Sequence, residues 1–469
     1  MSTQSLAQDQ LQSASLTPYQ RIAKLIGQGQ HDQAIKELSA LDKKALLSNH
    51  ALLNAYGVAL RSTGKPEAAI QMYHLALKLD SKQGGTWSNL GNALKDSNYP
   101  MASMSAHRYA LDLAEKPEGK LWHNYGIALA MAGDHAGAIE ALQAAIEIDP
   151  NKQGLRWDLA RSQLALKDYR NGFENYQYRW NMEEAPPRRV FGKEWDGQQL
   201  SDEVLFVYAE QGFGDYIQCA RYLPLLLKRA PNLLVEVKSE LRLLMEHSFP
   251  DIQFVDYVEH KQERTEGFIA SLLDSPRFFK DEPIPGVNGY LTPAPSQHVY
   301  GERLQARLSD TKSLKVGIVW SGSLTFKRNN YRSAPLDWFF NHFVLPGVNL
   351  FSLQMGPRSE DLKKLPLAVI SNELIPHIEN FNDTALILQK LDLVIMTCSS
   401  TAHLCGALNV PCWVLLDSSP HWLWGPDSTT SDWYQSLTLF RQQSPGDWRS
   451  VFDRASAQLI SLGMQKKYE

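Results

Sequence analysis

Between about Pro18 and Trp180, apolar residues recur at helical spacing, and the whole pattern then repeats. Gly57 and Gly91 are 34 residues apart, and Gly91 and Gly126 are 35 apart. Around each glycine the same positions return. Trp87 and Trp122 stand four before their glycines, with Leu53 at that place in the first copy. Leu60, Leu94 and Leu129 follow by three, and the small residues Ala76, Ala110 and Ala145 follow by 19. The large residue and the leucine put an apolar stripe on a first helix. The small residue lets a second helix approach it closely. Gly64 and Gly133 fall at the turn between the two helices, and Asp149-Pro150 is a sharp helix stop. One such hairpin cannot bury its own apolar face, so the pattern predicts copies stacked into a solenoid.

These residues resemble the tetratricopeptide repeat. Three copies are clear. A degenerate copy precedes them, from Pro18 to Asp42, with Gly29 and Ala34 in the turn and second-helix places. Another follows, carrying Trp157, Leu159 and Tyr176 and ending near Trp180. Five hairpins are therefore expected, forming a surface that holds another polypeptide.

After Trp180 the pattern changes. Asn181 to Gln199 holds Pro186-Pro187 and two glycines with little periodicity, which reads as a domain boundary. Beyond it, short runs of Val, Leu and Ile alternate with helical stretches, as in parallel α/β sheets. Strands are expected at Val204–Tyr208, Leu233–Val237 and Ile252–Tyr257. A second set is expected at Lys315–Trp320, Asn349–Gln354, Asp392–Thr397 and Cys412–Leu416. A Pro-rich polar stretch, Thr292 to Ser313, separates the sets. The expected architecture is a repeat domain over 1–182 and two Rossmann-like halves over 183–303 and 304–469, with ligands bound in the cleft between strand ends. The segment from Trp448 reads as a helix packing back across both halves.

Composition narrows the function classes. Lys and Arg total 47 against 51 Asp and Glu, a net charge of −4, which argues against nucleic acid as the main partner. The start, MSTQSLAQDQ, has no basic and apolar signal, and no run approaches the roughly 18 apolar residues of a membrane helix, so a cytoplasmic location is expected. Cys219, Cys398, Cys405 and Cys412 match neither a disulfide framework nor a zinc pattern and read as small buried residues.

Three strand ends could carry chemistry. The first is Glu210-Gln211-Gly212-Phe213-Gly214-Asp215. Gly212 and Gly214 permit a tight turn close to a ligand, and the helix that follows offers free N–H groups. Asp215 could accept a proton from an attacking hydroxyl, or simply cap the helix; residue type allows both. The second is Trp320-Ser321-Gly322-Ser323, leading into Lys327, Arg328 and Arg332. Three cations at a strand end suit a diphosphate, though a solvated basic loop has the same composition. The third is Cys398-Ser399-Ser400-Thr401-Ala402-His403, whose hydroxyls can cap a helix or bind phosphate oxygens; His403 can donate to a ligand or pack. Gln354 closes a strand on the same side, and Asp383 opens the preceding helix as ligand group or cap. Trp422, Trp424, Trp433 and Tyr434 form an aromatic cluster that reads as core or lid.

In order and spacing, EQGFGDYIQCARYLPLL, VGIVWSGS, FSLQ and DLVIMTCSSTAHLCGALNVPCWVLL resemble bacterial tetratricopeptide-repeat glycosyltransferases. The catalytic part of that family is similar to the heptosyltransferases and has the two-half GT-B fold. The resemblance implies an inverting, metal-independent transfer from a nucleotide-activated sugar to Ser or Thr of a protein held by the repeats. It implies that Asp215 is the base. Gln211, Gly212, Gly214, Trp320, Ser321, Gly322, Lys327, Arg332, Gln354, Asp383, Ser399, Ser400, Thr401 and His403 are expected to line the substrates. No cofactor is called for, since the nucleotide sugar is a substrate. The architecture also resembles O-GlcNAc transferase and flagellin glycosyltransferases, which suggests flagellin as an acceptor. One departure stands out: Cys398 replaces an aspartate that the family associates with the donor sugar. Two other readings fit the same residues: a non-catalytic scaffold or chaperone with a degenerate nucleotide-sugar domain, and an enzyme acting on lipid-linked or free glycans.

Overall fold

A computed structural model describes residues 16–182, 189–259, 261–295, 300–365 and 369–468. Its contacts divide the chain into one unit, Met1–Ser162, and a second, Gln163–Glu469.

The first unit is a stack of helical hairpins. Pro18–Gly27 pairs with His31–Ser39, His50–Ser62 with Pro66–Leu79, Gly84–Asp96 with Pro100–Asp112, and Gly119–Met131 with His135–Ile148. A fifth pair of helices follows, Gly154–Ala165 and Tyr169–Tyr176; the unit boundary falls within the first of them, and the second belongs to the second unit. The repeating glycines are explained by what lies on them. A Cβ on Gly57 would stand 2.4 Å from the Tyr73 ring, on Gly91 2.6 Å from His107, and on Gly126 2.8 Å from Leu142. Each of these partners is 16 residues further on, so the second helix lays one large side chain across the backbone of the first. Ala76, Ala110 and Ala145 are fully buried in the same contact.

The turns need a left-handed residue, which glycine adopts without strain. Gly64 and Gly133 supply it, and Asn98 and Lys167 take the same conformation in repeats that lack the glycine. Polar pairs link successive repeats: His50 with Thr86, Asn89 with Asn54, Arg61 with Asp96, and His123 with Asp158, at 2.6–3.1 Å.

The second unit holds two parallel sheets. The first contains β1 (Val190–Glu194), β2 (Val204–Tyr208), β3 (Asn232–Val237), β4 (Gln253–Asp256) and β5 (Glu263–Ser271), in the order β1-β5-β2-β3-β4. The second contains β6 (Leu314–Val319), β7 (Val348–Ser352), β8 (Ile370–Ser371), β9 (Leu393–Thr397), β10 (Cys412–Leu416) and β11 (Leu437–Arg441), in the order β11-β10-β9-β6-β7-β8. Every adjacent pair is parallel. All residues of β9 and β10 are buried, as expected of strands covered on both faces.

The seven expected strands are present, joined by β1, β5, β8 and β11. In both sheets the chain winds outward from one strand and then returns to its other side. This creates a switch point between β2 and β5, and another between β6 and β9, where doubly wound sheets leave a crevice at the carboxyl ends. The second sheet has the 3-2-1-4-5-6 order of that topology.

Parts of the expected linkers, residues 183–188 and 296–299, lie outside the described residues. The Thr292–Ser313 stretch contains a helix, Glu302–Leu308. The two sheets are tied by short bonds. Asn382 pairs with both backbone groups of Ala294, and Tyr290 and Leu291 donate to the Ala407 carbonyl. The last helix, Trp448–Tyr468, packs on the second sheet through Phe452 against Phe339 and Phe343, with Lys466 paired to Asp392. Among the described residues, its ring contacts and ion pairs are on that layer rather than across both sheets.

Candidate functional site

Three helix N-termini converge between the two sheets of the second unit. One belongs to Phe213–Ala220, after β2; the others belong to Phe381–Leu388 and Ser400–Ala407, before and after β9. Phe213 and Phe381, each the first residue of its helix, meet with ring centroids 5.0 Å apart. A Cβ on Gly214 would lie 3.0 Å from His403 and 3.5 Å from the Cα of Ser400. A side chain here would press on the His403 ring, so glycine suits this close approach of the two helices. Each N-terminus carries partial positive charge, so their convergence favours a bound anion, although Asp215, Asn380 and Ser399 take up part of the N–H groups.

Asp215 stands in the first turn of its helix. Its Oδ2 accepts the N–H of Gly212 at 3.1 Å, so the capping role open in the sequence is realised. Burial raises its carboxyl above the ordinary range, against the Gly212 and Asp215 N–H groups, and the charge of Glu210 adds to the rise. Gln211, with φ of 56°, holds the elbow in a left-handed conformation. Lys238, at the end of β3, fastens it by donating to the Gln211 carbonyl at 2.8 Å.

The switch point of the first sheet is filled by the protein itself. Arg179 is buried there, pairing with Glu210 and, at 2.7 Å, with Asp274. The Ser271 hydroxyl also donates to Glu210. Burial opposes the charge of Arg179, but Asp274 and Glu210 outweigh it and hold its pKa well above the usual value.

The switch point of the second sheet is built differently. Gln354 is buried, and its Oε1 accepts the N–H groups of Trp320 and Ser321 at 3.1 and 2.9 Å. Trp320 is itself buried and donates its indole N–H to Asp361. The Ser321 hydroxyl joins Ser333 and Asn329. These three residues are thus the scaffold of the loop. Arg332 lies across Gly322, where a Cβ would meet its guanidinium at 2.4 Å, and it stacks on Phe326. Lys327 is exposed on the same loop. Arg328 approaches Asp417 at 3.7 Å.

Asp417 directly follows β10, and burial raises its carboxyl despite Arg328, Arg332 and Arg441. Arg441 ends β11 and donates to the Trp424 carbonyl. Asp417 and Arg441 were not singled out from the sequence, although the signal was available: each stands at or just after the carboxyl end of a strand of the second sheet.

In the third segment Ser399 is the N-cap, accepting from Thr401 N–H at 3.4 Å. Ser400 and Thr401 are half-buried beside it. Cys398 accepts the indole N–H of Trp424 at 3.2 Å, and burial pushes its thiol up. His403 is buried against Trp424 and Tyr434. Burial pushes its pKa down to about 3, with His421, Arg221 and Arg332 contributing, so it is neutral at pH 7. Asp383 caps its own helix through the N–H groups of Glu379 and Asn380. The four-residue aromatic cluster is buried and packs against Tyr169, Phe173 and Tyr176 of the last hairpin.

Among the described residues, no helix is long and apolar enough to cross a membrane. Comparison with known proteins adds the following. Residues 50–83 and 119–152 match tetratricopeptide-repeat families. The chain is 26% identical to Protein FlbA of Caulobacter vibrioides over 446 residues, covering 87% of this chain and 72% of that one. It is 32% identical over 123 residues to the general transcriptional corepressor ssn6 of Schizosaccharomyces pombe, covering 26% of this chain and 11% of that one. Among solved structures, a crystal structure of MamA is 22% identical with a TM-score of 0.30, covering 33% of this chain and 90% of that one. YrrB, described as a TPR protein with an unusual peptide-binding site, is 20% identical with a TM-score of 0.26, covering 33% and 85%. The N-terminal unit is therefore a tetratricopeptide-repeat array, which points to a protein partner, and the resemblance to FlbA runs through both units.

Proposed function

We propose that this protein is a GT-B-type glycosyltransferase that moves a sugar from a nucleotide-activated donor to Ser or Thr of a protein held by the repeats. The observation that carries this reading is the convergence of three helix N-termini around Asp215. A leaving diphosphate would find positive dipole ends there, with Arg328 and Arg332 on the neighbouring loop, so no metal is needed to stabilise its charge. The self-filled switch point of the first sheet, closed by Arg179, favours the second sheet as the donor half.

In this reading an acceptor hydroxyl enters from the first-sheet side. Asp215 takes its proton as the oxygen attacks the anomeric carbon, and the diphosphate leaves on the opposite face. The Gly212 N–H occupies one carboxylate oxygen and orients the other. Flagellin is the acceptor suggested by the architectural likeness.

The test has two steps. Thermal stabilisation across UDP, GDP, CMP and ADP compounds identifies the nucleotide, since selective binding raises apparent stability. Transfer with the matching donor then compares wild type with Asp215→Ala. The expected loss is about 100-fold or more, the usual contribution of a positioned base. Transfer should also fall with acidification through a midpoint above the ordinary aspartate value of about 3.9, because Asp215 acts ionised and its pKa is raised. Equal rates in the two proteins would remove Asp215 from this role. Nucleotide binding without transfer to any protein acceptor would favour the scaffold reading, to which Cys398 lends support.

A further inference from the structure

Tyr434 is fully buried, and a buried phenol needs an acceptor for its proton. Its hydroxyl lies 3.0 Å from Nδ1 of His403, and another polar neighbour, the Tyr290 hydroxyl, donates its own proton to the Ile217 carbonyl. Gly406, one turn further along the His403 helix, sets that distance: a Cβ there would fall 2.1 Å from the Tyr434 ring. The ring therefore rests directly on the helix backbone. Arg221 stands 4.6 Å from the centre of the same ring. Its guanidinium is held in place by the carbonyls of Gln218, Pro285 and Trp433. A cation beside a phenol makes the O–H a stronger donor. On the opposite edge of the imidazole, Cδ2 and Nε2 adjoin the Gly214 backbone, where a Cβ would lie 3.0 and 3.4 Å away.

In a neutral histidine, the hydrogen bond made by one ring nitrogen decides which nitrogen carries the proton. We propose that Tyr434, seated on Gly406 and polarised by Arg221, donates to Nδ1 of His403 and fixes the tautomer whose Nε2–H borders the Gly212–Asp215 turn. Tyr434 is then a positioning residue, and His403 a neutral donor to an oxygen of the bound donor phosphate. The identity of that ligand rests on the nucleotide-sugar reading; the tautomer does not. A neutral donor suits a site already rich in positive dipole and guanidinium charge, because it adds direction without adding another buried cation.

The test is NMR on the full chain labelled with 15N-histidine, with His403 assigned through His403→Gln. At pH 7 the wild type should give a protonated Nε2 and a bare Nδ1. Tyr434→Phe should lose that pattern and give mixed tautomers. Gly406→Ala should do the same while keeping the hydroxyl, because it lifts the ring. A wild-type Nδ1–H tautomer, or an unchanged pattern in Tyr434→Phe, overturns the proposal. Should either variant fail to fold, the wild-type spectrum still decides. A wild type with the expected tautomer that binds none of UDP, GDP, CMP or ADP would sink the nucleotide-sugar reading alone.

Discussion

His107 is an anomaly among the residues that cover the repeat glycines. Its two counterparts are Tyr73 and Leu142, yet it is an imidazole with no exposure and neither nitrogen hydrogen-bonded. Burial, with Lys95 and Arg61 nearby, pushes its pKa down to about 4 from 6.5. The unfolded chain therefore binds a proton on this side chain before the folded one does. The sign follows: the proton linkage costs nothing well above pH 6.5, and stability is lost as pH falls from 6.5 towards 4. The full loss is about 3 kcal/mol at the conversion of 1.36 kcal/mol per pKa unit. His107→Leu copies the solution used at Leu142 and removes both the unmade hydrogen bonds and the proton linkage. Urea unfolding monitored through the helical signal should show the variant more stable than wild type at pH 5, with a smaller gap at pH 8. A gap independent of pH would show that His107 is not buried in its neutral form.

The elements differ in how plainly their residues announce them. The hairpins were legible because every determinant is local: a glycine, a leucine three residues on and a buried alanine 19 on recur in register, whereas the unlike residues that cover the glycines did not show. The strands β2, β3, β6, β9 and β10 were legible as continuous apolar runs. By contrast β5 reads ERTEGFIAS and β1 reads VFGKE, polar enough to resemble loops, and β8 has two residues. Pairing with a neighbouring strand, not composition, makes them strands. The site followed the same division. Its candidate loops were picked out by their place after strands, while the scaffold roles of Trp320, Ser321 and Gln354 depend on partners distant in sequence. Arg179 carried no local signal at all, yet it joins the 3-10 helix Gln177–Asn181 to the ends of β2 and β5. Arg179→Met should leave Glu210 and Asp274 buried without their partner and cost about 3–5 kcal/mol, the usual result of breaking a buried pair from one side. Equilibrium unfolding measures it. A loss under 1 kcal/mol would mean that water replaces the guanidinium.

At the scale of the molecule, the composition break near residue 182 follows the last repeat hairpin, whereas the contact boundary at Ser162 falls inside that hairpin's first helix, Gly154–Ala165. The hairpin copies the repeat register but is bonded to the sheets. Lys167 pairs with Asp432 at 2.9 Å, and Arg170 pairs with Asp281 at 2.5 Å. Tyr169 and Phe173 meet Trp433 and Trp422 edge to face. Exposed pairs of this kind contribute little, but the aromatic contacts and the buried Arg179 network do not. The last repeat helix, Tyr169–Tyr176, thus serves as part of the α/β unit's core. Two fragments separate the boundaries. One beginning at Gly154 keeps the hairpin; one beginning at residue 183 loses the hairpin and Arg179. The longer fragment should unfold cooperatively on heating, as a unit with its own core does. The shorter should expose Trp422 and Trp433, melt many degrees lower or aggregate, and show red-shifted tryptophan emission. Equal melting temperatures would make the hairpin a repeat that merely touches the sheets. The expected result requires that any attempt to free the repeats from the candidate active site cut before Gly154, not after Trp180.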